Sequence, residues 1–465
     1  MVAATMLLLP SFVLAQTESC SFLIDSHTVD IRDLVYSEQQ NPDSEFSGIM
    51  SRRTADASRN VRWIDRINNL PDDYRAFYDK YRSLVQEVLA GGSNCLSDPE
   101  NDKVNAVKYG ISYHIPVSSA TRKIEYYFSE DVPSVRNVAM SNAIREDIEQ
   151  NLRSQIDEKA WIFLPYVHMS LSYDLPEAFW ISYNFMWSTY TDCTYGFLNE
   201  SHRDSVEYTY TVYYSLKMNN YDVRIDEFRT PSAMSAAVTE FKGLVDDILA
   251  DVPKTTRYDQ IRYLNNWLTT HNAYSAAHAT GEYPLIVWSP MSALRGCNDV
   301  NGPVCEGYAR AFKVLCDKLG IPCVLAVGNA YGYVGATPEA HMWNEVMMND
   351  DKWYGVDVTW NDPITGNDQD PNVSGLETEK WLLLGKNTVV STYNGQLTFA
   401  ESHPNSIING KEQSAYWDYS NESFIADSKF DPVTGIDRIN PVKDDLIYFI
   451  GGRWYFINGK KVWIK

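Results

Sequence analysis

The chain has 465 residues, 44% of them hydrophobic and 13% aromatic, which excludes a largely disordered protein and is enough to build about two or three packed domains. With 61 Asp and Glu against 40 Lys and Arg, the formal charge is −21. That balance would repel phosphate backbones and anionic lipid, so nucleic acid is excluded as a partner.

The first segment, "MVAATMLLLPSFVLA", is an apolar run closed by Val13-Leu14-Ala15, the small-residue pattern that signal peptidase accepts before Gln16. Residues 1–15 are therefore read as a signal peptide, and the mature protein as secreted, extracellular or on the cell surface. No later stretch offers the ~18 unbroken apolar residues of a bilayer span, so none is expected after signal removal. Residues 16–70 are polar and lack a period, and are read as an irregular lead-in.

"PDDYRAFYDKYRSLVQEVLAGG" places Pro71 at a helix start, puts Tyr74, Phe77, Tyr81, Leu84, Val85 and Val88 on one face, and ends at Gly91. The alternating runs "KIEYYF" and "VEYTYTVYYSL" flank a helical stretch, "SVRNVAMSNAIREDIEQNLRSQI". Residues 71–228 thus read as an N-terminal α+β domain. Thr230-Pro231-Ser232 opens a new domain, assigned to 229–415, in which Val238, Phe241, Leu244, Val245, Ile248 and Leu249 recur at helical spacing. A second helix starts at Thr256, with Asp259 completing a weaker capping box and Ile261, Leu264, Trp267 and Leu268 turned inward.

"GPVCEGYARAFKVLCDKLGIPC" (302–323) holds three of the seven cysteines. Tyr308, Phe312, Leu315 and Leu319 make an apolar stripe, so Cys305 falls in the first turn of a helix. A thiol there meets unpaired backbone N–H groups and the positive end of the helix dipole, a setting that favours thiolate. Cys316, deep in the helix, and Cys323, opening the strand "CVLAV", suit packing positions. A thiolate nucleophile needs a base and a group to orient it. His341 opens "HMWNEVMM" and Asp357 lies in "KWYGVDVTW", two alternating runs joined by the turn "NDDK". A hairpin turning at Asp350 and Asp351 would bring the pair close at its open end.

"GPVCEGYARAF", "HMWNEV" and "WYGVDVTWNDP" together resemble the three core motifs of the transglutaminase-like superfamily. The resemblance extends over about residues 255–405 through "RYDQIRYLNNWLTTHNAYS", "WSPMSAL" and "FAESHP", and more weakly from about 170 through "LPEAFWISY". It implies a papain-like α+β core, a helix bearing the cysteine packed on an antiparallel sheet bearing the histidine and aspartate, with Cys305, His341 and Asp357 catalytic. Trp288, Tyr308 and Trp343 are taken as cleft-lining. Met342 departs from the small residue common after the histidine, and "NAYGYVGATPEA" lengthens the approach to His341. The implied activity is thiol chemistry on amide bonds of proteins or peptides through a thioester. Hydrolysis is favoured, with a protein-crosslinking transglutaminase and a non-catalytic surface or wall-binding protein as alternatives.

A metal site is the rival explanation of the cysteines. Cys297, Cys305, Cys316 and Cys323 are 8, 11 and 7 residues apart, without the close pairs of zinc sites. "DQDPNVSGLE" fails as a calcium loop because Val373 stands where glycine is required. No cofactor and no metal are expected. In an exported chain the other six cysteines, Cys20, Cys95, Cys193, Cys297, Cys316 and Cys323, form an even set able to pair as disulfides.

The last segment, 416–465, ends in "DDLIYFIGGRWYFINGKKVWIK", where Gly451-Gly452 and Asn458-Gly459 signal hairpins between three short strands. Its aromatic and glycine texture hints at wall-binding modules, so a cell-wall or surface polymer is a candidate partner besides the protein or peptide substrate.

Overall fold

The structure is a computed structural model. It describes residues 18–30, 82–91, 111–125, 133–151, 174–181, 184–197, 205–218, 225–275, 285–297, 302–362, 377–404 and 426–434, apart from single positions at 84, 338 and 393, and short strands within 407–412 and 448–464. The signal-peptide reading lies outside these residues. Among them, no helix is long and apolar enough to cross a membrane.

Two units are distinguished. The first takes 1–28, 112–161 and 186–216. It contains strands β1 (Glu18–Asp30), β2 (Ile111–Glu125), β3 (Asn184–Phe197) and β4 (Ser205–Met218) and helix α1 (Pro133–Asn151). The sheet order is β1-β3-β4-β2. The lead-in read as irregular supplies β1, because strand pairing with the distant β3 outweighs its weak local pattern.

The second unit takes 29–111, 162–185 and 217–465. Residues 82–83 and 85–89 are helical, Val85 and Val88 are fully buried, and Gly91 ends the turn at φ 82°. Tyr74, Phe77, Tyr81 and Leu84 lie outside the described residues. Helix α2 (Pro231–Ala250) is capped by Thr230, whose hydroxyl accepts from the Ala233 N–H, and buries Val238, Phe241, Val245 and Ile248. Phe241 stacks on Phe179 from "LPEAFWISY" at 4.9 Å, which joins that stretch to the core. Helix α3 (Arg257–His271) has the expected cap, Asp259 N–H to Thr256 Oγ1 at 3.1 Å, and buries Ile261, Leu264 and Leu268. Trp267 is half-buried and stacks on His271.

A short helix α4 (Pro290–Arg295) leads to α5 (Cys305–Lys318). α5 is buried on every side from Cys305 to Cys316, more than its apolar stripe predicts. Its second face carries paired charges: Glu306 with Arg310 at 3.5 Å, and Lys313 donating to Asp317 and to the Cys323 carbonyl at 2.9 Å each. Gly307 allows the close approach of the preceding segment, since a Cβ there would lie 2.6 Å from the Val287 carbonyl oxygen. α5 packs on the antiparallel sheet β5-β6-β7, formed by β5 (Cys323–Ala330), β6 (Glu339–Met347) and β7 (Trp353–Val356). Asp351, at φ 64°, makes the β6–β7 turn, and Met347 pairs with Trp353.

Helix α6 (Val358–Asn361) follows β7, and the hairpin β8 (Val389–Thr392) and β9 (Gly395–Thr398) leads into α7 (Phe399–Ser402). The short pair β10 (Ile407–Ile408) and β11 (Lys411–Glu412) comes next. The C-terminal segment forms three antiparallel strands, β12 (Tyr448–Phe449), β13 (Gly452–Ile457) and β14 (Lys460–Ile464).

Candidate active site

Cys305 is the first residue of α5, preceded by Val304, whose side chain offers no acceptor to the first-turn N–H groups. Those donors and the helix dipole stand beside a buried free thiol. His341 sits on β6 opposite Gly328 of β5. Asp357 leaves β7 just past the ladder, where its N–H turns to the Trp381 carbonyl at 3.0 Å instead of to β6. Its side chain caps α6, Oδ1 accepting from the Trp360 N–H at 3.0 Å. That leaves Oδ2 facing His341, whose Nε2 lies 2.8 Å away. The Cys305 thiol hydrogen-bonds the same imidazole. With Nε2 committed to Asp357, the sulfur falls to Nδ1. The structure thus brings together the three residues singled out by their order in the sequence.

The electrostatics follow from burial and neighbours. Burial pulls the His341 imidazolium down, but the Asp357 carboxylate and the Cys305 thiol outweigh it and raise it from 6.5 to about 10. Burial likewise works against the Asp357 carboxylate, yet His341 and His403 hold it well below the usual range. His341 is therefore an imidazolium at neutral pH. Trp360 stacks on His341 at 5.0 Å and Trp343 at 6.2 Å, which limits water around the pair.

One residue of this cluster was not singled out in the sequence. His403 follows α7, is fully buried, and places Nε2 3.1 Å from the same Asp357 Oδ2. The only trace of it was "FAESHP", noted as a flanking piece without a role. The residues expected to line the cleft are placed as follows. Tyr308 is fully buried and donates its hydroxyl to Asp362, because the α5 face that carries it points into the core. Trp343 is 3% exposed and packs against His341 and His403, its Nε1 donating to Glu345 at 3.2 Å. Trp288 ends the 3-10 turn Leu285–Trp288 and is half-buried.

His341, Asp357 and His403 bring two imidazole nitrogens and a carboxylate oxygen within 4.8 Å of one another, a donor set of the kind that takes Zn²⁺. Here both nitrogens face one carboxylate oxygen as N–H donors, and a metal would have to displace both protons. Of the cysteines in the expected pairing set, Cys316 and Cys323 are buried, and their thiols hydrogen-bond each other in the core. No pairing of Cys20, Cys95 or Cys193 falls within the described side chains.

A family model, the transglutaminase-like superfamily, matches residues 244–358. That stretch is a transglutaminase-like domain. It runs from within α2 to the start of α6 and contains Cys305, His341 and Asp357. The kyphoscoliosis peptidase of Mus musculus is 28% identical over 154 residues, and that of Homo sapiens 27%, in each case covering 31% of this chain and 22% of the relative. The chain thus spans about a fifth of the length of these curated relatives. A crystal structure of a TGase is 19% identical over 37% of this chain and 46% of its own, with a TM-score of 0.21. The transglutaminase-like domain accounts for the helix, sheet and loop that carry the thiol, the imidazole and the carboxylate, while His403 lies beyond the matched residues.

Proposed function

We propose that the protein is a thiol enzyme acting on amide bonds of proteins or peptides, with Cys305 as nucleophile, His341 as proton carrier and Asp357 as the group that orients and charges His341. The observation that carries this is the hydrogen-bonded line from the Cys305 thiol through His341 to Asp357 Oδ2, at the end of a helix and inside a transglutaminase-like domain. In the first step the Cys305 sulfur forms a bond to the amide carbon and the carbonyl electron pair moves to oxygen. The tetrahedral species then collapses, the C–N bond breaks, and the imidazolium gives its proton to the departing amine, leaving a thioester. The backbone N–H of Cys305 is a donor suited to the developing oxyanion.

In the second step neutral His341 takes a proton from the acceptor as it attacks the thioester, and the thiolate leaves. Water gives a carboxylic acid and a primary amine gives a new amide. Hydrolysis is the favoured outcome; the similarity to chains named peptidases supports it. The deciding experiment incubates the full chain with a glutamine-containing protein, with and without a primary amine, and follows peptide cleavage, ammonia release and amine incorporation. Cleavage that vanishes in Cys305→Ala is expected. Amine incorporation without cleavage would assign the crosslinking activity instead.

We also propose that the protein is exported through residues 1–15. The N-terminal sequence of the mature protein should then begin at Gln16. A mature chain that retains Met1 would contradict export by cleavage.

A further inference from the structure

Beyond Cys305, His341 and Asp357, we propose that His403 is a positioning residue of the same site. As a neutral Nε2–H donor it fixes the Asp357 oxygen that holds His341. The proposal rests on the reading of Cys305 as nucleophile.

Asp357 Oδ2 accepts from two imidazoles, His341 at 2.8 Å and His403 at 3.1 Å, while Oδ1 accepts from the Trp360 N–H at 3.0 Å. Without His403, the oxygen that orients His341 would have one moving donor and no fixed one. His403 is itself held firmly. Its N–H bonds the Phe399 carbonyl at 2.9 Å, and the Tyr331 N–H bonds the Ser402 carbonyl at 2.8 Å, tying α7 to the residue that follows β5. Its ring stacks on Phe399 at 4.4 Å and meets Trp360 at 4.6 Å and Trp343 at 4.8 Å. Trp360 and Trp343 also flank His341, so both imidazoles and the carboxylate share one water-poor chamber.

The proton inventory fixes the tautomer. A carboxylate only accepts, so the nitrogen facing Oδ2 carries the hydrogen. Burial, reinforced by the nearby His341, keeps His403 below its ordinary value despite Asp357, so it carries one proton only. Nδ1 is then bare and accepts from the Ser402 hydroxyl at 2.8 Å, a hydroxyl whose hydrogen is shared with the Phe399 carbonyl 3.0 Å away. Among the described residues, the titratable groups facing His403 are Asp357 and His341, beside aromatic rings and the Ser402 hydroxyl. A second imidazolium here would repel the first. A neutral donor holds Asp357 in place and leaves its negative charge for His341.

The test uses the full chain and measures the rate of Cys305 alkylation by iodoacetamide across pH 4–8, for the unaltered protein and for His403→Phe, His403→Gln and His341→Ala. His403→Phe keeps an aromatic ring but no donor, and should slow alkylation at pH 6 by about 10–100-fold, as loss of an orienting partner does in metal sites. It should also move the acid limb of the profile upward, because Asp357 loses a donor that favours its charged form. His403→Gln retains an N–H donor and should recover most of the rate. Equal losses in the Phe and Gln variants, or none in either, would overturn the proposal. Nitrogen NMR of labelled histidine in the unaltered protein is a second test, requiring no variant to fold: His403 should be the neutral Nε2–H tautomer at pH 7–8, and an Nδ1–H tautomer or an imidazolium there would refute it. If His341→Ala also reacts at the full rate, the nucleophile reading itself has failed. If His341→Ala is slow and His403→Phe is not, only the role of His403 is lost.

Discussion

Asp357→Asn keeps the shape of the side chain and removes its charge. Asp357 is fully buried, with Oδ2 shared between His341 and His403 and Oδ1 on the Trp360 N–H. The rise of His341 from 6.5 to about 10 is set by this carboxylate and the Cys305 thiol acting against burial. It corresponds to about 5 kcal/mol of preference for the imidazolium. With the charge gone, burial is left opposed only by the thiol, and His341 should titrate near or below its ordinary value. NMR titration of labelled histidine measures this directly. At pH 7 the imidazolium should be nearly complete in the unaltered protein and a minority in the variant. Thiol alkylation at pH 6 should fall on the order of 100–1000-fold. A variant whose His341 still titrates above pH 9 would show that Asp357 does not support the imidazolium.

Stability should follow the same pair. The folded-state value of His341 lies above its unfolded value, so its contribution is fully present below about pH 6.5 and is lost as pH rises to about 10. Urea unfolding at pH 6 and pH 9.5 should show this decline, and Asp357→Asn should flatten it; an equal slope in both proteins would count against the coupling. Gly355→Ala would place a Cβ 2.1 Å from the Phe399 ring, which stacks on His403, and should destabilise by about 1–3 kcal/mol while slowing alkylation of Cys305. Unchanged melting and reactivity would show that Phe399 moves freely. Dialysis against EDTA should leave Cys305 alkylation unchanged, whereas a loss reversed by Zn²⁺ would assign His341, Asp357 and His403 to a metal.

Local chemistry made the hairpin and the helix start legible in the sequence. The "NDDK" turn and the two alternating runs foretold β6 and β7, and the stripe through Tyr308, Phe312 and Leu315 placed Cys305 at the head of α5. The resemblance added what spacing does not supply, the joint role of residues 305, 341 and 357. Features set by long-range contact stayed hidden. β1 takes its partner from residues 184–197, and His403 meets Asp357 across 46 positions from a helix of four residues, too short to carry a period. The burial of α5 on all sides was likewise not legible, because its second face hides charge pairs that composition alone would send to the surface.

Competitive alkylation at pH 6 bears most directly on Cys305 as an activated nucleophile. The full chain is treated with limiting iodoacetamide and the labelled cysteines are quantified by mass spectrometry, beside His341→Ala. Cys305 should be modified ahead of Cys297, Cys316 and Cys323, and much faster than in the variant. Equal Cys305 modification in both proteins would contradict activation of the thiol by His341.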